Sequence, residues 1–269
     1  MNHILLDLGV DTAIYTKITN QLRAAGCVFA EDEAELLISA ARSRSELDDM
    51  VTRRVAGLPL EHILGWAEFC GLRIKVDLGV FIPRKRTEFL VQQAIRLAEP
   101  FANPIVVDLC CGSGAVGAAI TRCLKQAKLY AADIDPAAVR CARRNMADHG
   151  QVFEGDLFEP LPVALQGRVH MLVANTPYVP TEAIELMPSE ARLHEARVAL
   201  DGGADGLDIQ RRIAAEGHRW LAPGGYLLVE TSERQAAETG RIFTQNRLTA
   251  QTVRLDELDA TVVIGHKPA

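Results

Sequence analysis

Ile105-Val106-Val107-Asp108-Leu109-Cys110-Cys111-Gly112-Ser113-Gly114 joins an unbroken apolar run to a turn of small residues. A short β-branched run closed by glycines predicts a strand buried on both faces, as parallel sheets require. Helical spacing follows over residues 115–124, so the segment is a strand-turn-helix unit. Gly112 and Gly114 let backbone N–H groups approach a ligand closely, and the helix beyond them offers its positive end to a carboxylate.

The same alternation continues outward from this unit. Strands are expected at 105–109, 129–133, 151–154, 170–174 and 225–230, with two more near Thr252 and Val262. Helices are expected between them, notably over 115–124, 136–148 and 207–220. This pattern defines an α/β fold with a doubly wound, Rossmann-like sheet. One connection, 179–206, is longer than compact domains normally leave without a purpose.

Upstream the pattern is different. Ile14, Ile18 and Leu22 recur at helical spacing before Gly26; Leu36, Leu37 and Ala40 indicate a second helix; Leu47, Met50, Val51 and Val55 indicate a third between a Ser45 cap and Gly57. Leu72, Ile74 and Val76 then alternate with Arg73 and Lys75 as in a half-buried strand, and Phe81-Ile82-Pro83 leads to a helix beginning near Thr87. The expected division is a helical substrate-binding domain over 1–68, a β-hairpin linker over 69–86 and the Rossmann-like domain over 87–269.

Bulk properties narrow the function. The chain has 269 residues, 48% of them hydrophobic and 24% charged, which suits a folded protein. A formal net charge of −6 argues against a protein that grips nucleic acid, because phosphate binding calls for a basic surface. Residues 1–10 lack the basic and apolar blocks of a targeting signal, and no apolar run reaches the ~20 residues that cross a bilayer, so a cytoplasmic location without membrane contact is expected. The six cysteines form no C-x-x-C pair and have no histidine at metal-site spacing, so no metal site is expected.

Acidic residues stand where such a domain needs them. Asp133, followed by Ile134, ends the second strand about twenty residues past the glycine loop, where ribose hydroxyls are bound. Gly155-Asp156-Leu157 ends the third, placing a carboxylate for an adenine amino group and Leu157 against the ring. The expected cofactor-binding set is Asp108, Cys110, Gly112, Gly114, Asp133, Ile134, Asp156, Leu157 and Asn175. S-adenosylmethionine is preferred to NAD because of the motif that ends the fourth strand.

That motif is Asn175-Thr176-Pro177-Tyr178. Asn175 Oδ1 and the Thr176 carbonyl, held by the conformational restriction of a residue before proline, form two acceptors for the two N–H bonds of a planar amino group, with the Tyr178 ring over its face. A planar amide nitrogen is a poor nucleophile. Binding both of its N–H groups raises electron density on nitrogen and aims it at a sulfonium methyl. Asn175, Thr176, Pro177 and Tyr178 are thus the expected catalytic residues, with Asn175 an orienting acceptor and no strong base required. Glu88, Glu195 and Arg197 are charged residues nearby, but a first-turn glutamate serves the helix dipole and loop charges are commonly solvated.

This tetrapeptide is of the kind found in methyltransferases that act on planar amino groups, and the chain resembles the HemK/PrmC family of protein-glutamine N-methyltransferases over nearly its whole length. Gly57-Leu58-Pro59-Leu60-Glu61-His62-Ile63-Leu64-Gly65, Phe81-Ile82-Pro83-Arg84-Lys85-Arg86-Thr87-Glu88 and Ala199-Leu200-Asp201-Gly202-Gly203-Ala204-Asp205-Gly206-Leu207 match that family's linker and post-motif loop. The resemblance implies S-adenosylmethionine as cofactor and, as substrate, the glutamine of a Gly-Gly-Gln loop in a peptide-chain release factor or a ribosomal protein. Two segments depart from the family pattern: Thr176 replaces a proline, and Lys85-Arg86 adds positive charge where the family has Pro-x, which points to a paralogue whose substrate need not be a release factor. An adenine-N6 or cytosine-N4 nucleic-acid methyltransferase is the alternative reading, since it uses the same tetrapeptide.

Overall fold

The computed structural model describes residues 12–147 and 149–269. The expectation for residues 1–10 and the last residue of the helix expected over 136–148 lie outside them. Two compact units are present. The smaller comprises the chain up to Trp66 together with Pro188–His194, and the larger comprises Ala67–Met187 and Glu195–Ala269.

In the smaller unit, helices α1 (Thr12–Ala24), α2 (Ala30–Ala40), α3 (Arg44–Val55) and the short α4 (Leu60–Leu64) enclose a core that includes Ile18, Leu22, Leu37, Ile38, Leu47 and Val51. Gly26 takes the expected left-handed conformation (φ +92°) after α1. The cap of α3 is Ser43 and not Ser45: Ser43 Oγ accepts from the Glu46 N–H at 3.2 Å, because Ser43 has the extended backbone a cap needs. Buried Arg54 joins Glu33 (2.6 Å) to Glu190 (2.6 Å), tying the 188–194 segment into this unit.

The larger unit opens with the hairpin β1 (Trp66–Phe69) and β2 (Leu72–Lys75), and α5 (Glu88–Ala98) follows. The remaining elements are β3 (Ile105–Leu109), α6 (Ala115–Cys123), β4 (Lys128–Asp133), α7 (Pro136–Asn145), β5 (Gly150–Glu154) and β6 (Val169–Ala174). They are followed by α8 (Ser189–His194, part of the smaller unit), α9 (Asp208–Trp220), β7 (Leu221–Thr231), α10 (Glu233–Gln245), β8 (Thr249–Leu255) and β9 (Ala260–His266). The seven-stranded sheet has the order β5-β4-β3-β6-β7-β9-β8; its first five strands are parallel and β9 runs antiparallel to both neighbours.

Period-2 alternation sends successive side chains to opposite faces, and here both faces are covered. Val106, Ala131, Met171, Val173, Leu228 and Val262 pack with Leu90, Val116 and Ile120, residues of α5 and α6. Val107, Leu109, Leu172, Leu227, Val229 and Val263 pack with Ile213, Trp220 and Phe243, residues of α9 and β-flanking α10. The central strands are apolar throughout for this reason. No helix among the described residues is long and apolar enough to cross a membrane.

The 179–206 connection is not bare loop. It contains 3-10 turns at Thr181–Leu186 and Arg197–Ala199 with α8 between them, pieces too short to leave a readable period. The observed division also departs from the expected boundaries in two details: it falls at Trp66, so most of the hairpin belongs to the larger unit, and Pro188–His194 belongs to the smaller one.

Candidate active site

Strand register assembles the site. Leu109 pairs with both Ala132 and Ala174, so Cys110, Asp133 and Asn175 leave the sheet from adjacent strands. Asp133 pairs with Glu154, which sets Gly155-Asp156-Leu157 next along, and Ala174 pairs with Val229, which puts Glu230 beside Asn175. The sheet reverses its strand order between β3 and β6, and in doubly wound folds ligands bind in the crevice beyond the carboxyl ends at such a point.

A cavity there is lined by Asp108, Cys110, Gly112, Asp133, Ile134, Asp156, Leu157 and the whole Asn175-Thr176-Pro177-Tyr178 motif. Gly114 is the member of the expected set that does not line it. At φ +79° it starts α6, and an added Cβ would lie 3.1 Å from Ala142, so it serves the approach of α6 to α7. Gly117 likewise has Leu129 and Met146 within 2.9 Å of its Cβ position. With Gly112 and Gly114 it completes a G-x-G-x-x-G spacing, so the loop alone suits either nucleotide cofactor and the motif on β6 carries the choice between them.

The acidic groups are already engaged with backbone. Asp133 Oδ2 accepts from Gly112 N–H at 2.8 Å and its Oδ1 from Asp135 N–H at 2.9 Å, which fixes the carboxylate at the rim of the glycine loop. Asp108, 1% exposed, accepts from Gly117 N–H at 3.0 Å; burial pushes its carboxyl up to about 7 against that hydrogen bond, with the nearby Asp133 charge adding to the rise. Asp156 Oδ2 is paired with Arg212 at 2.7 Å, a partner 56 residues away in the chain, so the carboxylate is shared with that guanidinium. Ile134, 52% exposed, presents an apolar side chain at the rim.

Cys110 (φ +54°) and Leu157 (φ +50°) hold left-handed backbone without being glycine, which costs ~1–3 kcal/mol each and is tolerated where the surroundings over-determine the chain. Burial first, and then the Asp133 charge, drive the Cys110 thiol well above its ordinary range, so it remains a neutral thiol and not a nucleophile.

Around the motif the chain is held from several sides. Asn175 Nδ2 donates to Thr87 Oγ1 at 3.2 Å. Arg86 donates to Tyr178 Oη at 2.6 Å and to Glu230 at 3.3 Å. Burial, helped by Glu230 and opposed by Arg86, pushes the Tyr178 phenol up to about 12, so it stays protonated. Gln235 Nε2 donates to the Tyr178 carbonyl at 2.9 Å, and a Cβ on Gly202 would stand 2.7 Å from the Pro177 carbonyl.

Glu195 and Arg197 have other work. Glu195 is buried and accepts from Ile82 N–H at 3.1 Å and from Arg84 at 2.7 Å, while Arg197 pairs with Asp201 on the surface. Glu88 accepts from Cys70 N–H at 2.9 Å in the first turn of α5, away from the cavity lining. Nothing in the chain spacing marks Glu195 as the partner of Arg84, which lies 111 residues earlier.

Thr176 is 3% exposed and its hydroxyl is a buried oxygen without a hydrogen-bond partner among the described residues. Thr176→Val keeps the shape and removes that oxygen. It is expected to raise stability by about 1 kcal/mol, read as a higher denaturant midpoint at unchanged slope. A fall in the midpoint would show that the hydroxyl is satisfied in solution.

The parallel sheet, glycine loop and acidic strand ends define the Rossmann-like fold of S-adenosylmethionine-dependent methyltransferases, and residues 72–206 match the family model for the "Methyltransferase small domain". The chain is 41% identical to the release factor glutamine methyltransferase of Geobacter sulfurreducens over 73% of its own length and 68% of that protein's. It is 36% identical to that of Mycolicibacterium smegmatis over 88% and 90%. It is also 35% identical to the 4-amino-L-phenylalanine/4-methylamino-L-phenylalanine methyltransferase of Streptomyces pristinaespiralis over 72% and 68%. The chain belongs to the release factor glutamine methyltransferase family, the HemK/PrmC family that its motifs resemble.

Proposed function

We propose that the protein transfers a methyl group from S-adenosylmethionine to the side-chain amide nitrogen of a glutamine, in a Gly-Gly-Gln-type loop of a peptide-chain release factor. The observation that carries this is Asn175 in the cofactor cavity with its Nδ2 engaged by Thr87, which leaves Oδ1 as an acceptor for a planar N–H group.

The donor set fits the cofactor. Asp108, Asp133 and Asp156 suit a cationic amino acid end, ribose hydroxyls and an adenine amino group, and Ile134 and Leu157 offer apolar faces to the ring. When bound, S-adenosylmethionine supplies an electrophilic methyl on its sulfonium. Asn175 Oδ1 and the Thr176 carbonyl bind the two N–H groups of the substrate amide, Pro177 restricts the backbone that carries that carbonyl, and the Tyr178 ring covers the amide plane. Tyr178 stays a phenol through the physiological range and Asn175 does not titrate, so both act by orientation and not by taking a proton. A substrate in the translation machinery places the reaction in the cytoplasm.

Asp108 gives the site a pH dependence. In the free protein its carboxyl is protonated below about 7, whereas a cationic ligand beside it favours the carboxylate, so binding at lower pH must release a proton. Affinity for S-adenosylmethionine is therefore expected to rise from about pH 5.5 to 7, by at most about tenfold per unit. Calorimetry checks this, and Asp108→Asn should flatten the profile; a slope that survives in that variant would assign the proton elsewhere.

The function is tested by incubating the protein with methyl-labelled S-adenosylmethionine and, separately, the release factors and ribosomal proteins of its own organism, duplex DNA and 4-aminophenylalanine, with mass mapping of the labelled product. Label on the glutamine of a Gly-Gly-Gln loop is the expected result. Label on the free arylamine alone would favour the chemistry of the Streptomyces relative, and label on DNA alone would overturn the proposal.

A further inference from the structure

One departure from the family pattern is the charge added by Lys85-Arg86, next to Arg84. The structure ties two of these three cations to buried anions. Arg84 Nη2 donates to both oxygens of Glu195 at 2.7 Å, and Arg86 Nε donates to Glu230 Oε1 at 3.3 Å. The side chains that receive them are 0% and 2% exposed, whereas Lys85 between the two arginines is exposed. The stem of Arg86 thus meets solvent while its head is committed to the interior.

The same guanidinium reaches the reaction motif. Arg86 Nη2 donates to Tyr178 Oη at 2.6 Å, and Tyr178 Oη in turn donates toward Glu230 Oε1 at 3.5 Å. A guanidinium can only donate and a carboxylate can only accept, so the phenol between them has one consistent arrangement: it accepts from Arg86 and turns its hydrogen to Glu230. Arg86 and Tyr178 line the cavity, whereas Glu230 lies outside the lining, placed beside the motif by the Ala174–Val229 pairing of β6 and β7. At the other end of Tyr178 the backbone is held too: its carbonyl accepts from Gln235 Nε2 at 2.9 Å, and the Val179 N–H that follows donates to the Leu200 carbonyl at 3.1 Å. A tyrosine side chain rotates about two bonds, so fixing both its backbone and its hydroxyl leaves the ring little freedom to turn.

We propose that Arg86 is a positioning residue, which uses the buried Glu230 carboxylate as an anchor and holds the Tyr178 hydroxyl so that the ring stays over the substrate amide. The consequence for turnover rests on the proposed glutamine methylation; the tether itself belongs to the protein without substrate. Arginine suits the task because its planar fork sends one nitrogen to the carboxylate and another to the phenol.

Arg86→Met keeps the stem and removes the guanidinium. Tyr178→Phe keeps the ring and the Arg86–Glu230 pair and removes only the hydroxyl. In protein labelled with 13C on its tyrosine rings, the Tyr178 signals, identified by their loss in Tyr178→Phe, should shift and broaden in Arg86→Met without substrate present. With the release factor as substrate, each variant should lower kcat about tenfold with KM within about twofold, and the double variant should fall no more than about twofold further, because Arg86 acts through the hydroxyl. Ring signals unchanged in Arg86→Met overturn the inference, as does wild-type kcat in Tyr178→Phe, a variant that leaves the buried carboxylate paired. Losses that multiply in the double variant, or a raised and salt-dependent KM at unchanged kcat, would overturn it as well and make Arg86 a contact for the partner. If wild-type protein leaves release factors unlabelled while the ring signals follow Arg86, the functional reading fails and the tether stands.

Discussion

Asn175→Ala is expected to lower kcat for methyl transfer by about 10²-fold or more while cofactor affinity stays within a few-fold, the scale of losing one preorganised polar contact. Asn175 leaves β6 next to Cys110 of the glycine loop, but other carboxylates that line the cavity, Asp133 and Asp108, are the ones proposed for the ribose and amino acid ends of the cofactor. What the alanine removes is the acceptor proposed to align the substrate nitrogen. The loss should therefore appear in single-turnover methyl transfer and not in calorimetric binding of S-adenosylmethionine. Turnover like wild type would remove Asn175 from the reaction and leave it a strand-end turn residue.

Gly206→Ala should be nearly as damaging although Gly206 does not line the cavity. Gly206 has φ +79°, left-handed backbone that costs any other residue ~1–2 kcal/mol, and its added Cβ would overlap the Tyr178 carbonyl oxygen and Gln235 Nε2. Gln235 Nε2 holds that carbonyl at 2.9 Å and the Asp205 carbonyl at 3.0 Å, so relief requires the backbone of the motif itself to move. Expected outcomes are a stability loss of about 2 kcal/mol or more and a kcat loss of about 10²-fold, since misplacing a reacting group by about 1 Å has that scale. Thermal unfolding and single-turnover rates check both. A variant that is destabilised yet turns over normally would show that the motif does not depend on this buttress.

The readable part of the protein is the part whose signal is local. Val106, Val107 and Leu109 announce a buried strand because both faces of the sheet are covered, and the carboxylates of Asp108, Asp133 and Asp156 stand close in sequence to the strand ends that position them. Harder to read are features that depend on alternatives of equal local merit. Ser43 and Ser45 are equally good caps as residues, and only the extended backbone at Ser43 chooses between them. The short helical pieces inside 179–206 span too few turns for a period to show.

The sequence by itself determined the order of strands and helices, the glycine loop, the acidic strand ends and the Asn175-Thr176-Pro177-Tyr178 motif, because hydrophobic periodicity and turn chemistry act over a few neighbouring residues. The tertiary structure alone decided which polar groups meet: Arg84 with Glu195, Asp156 with Arg212, Thr87 with Asn175, and Glu230 beneath Tyr178. Those partners lie between 52 and 111 residues apart. A buried charge or hydroxyl takes whatever partner the sheet register brings within about 3 Å, and that register is set by packing over the whole domain, not by the residues beside it.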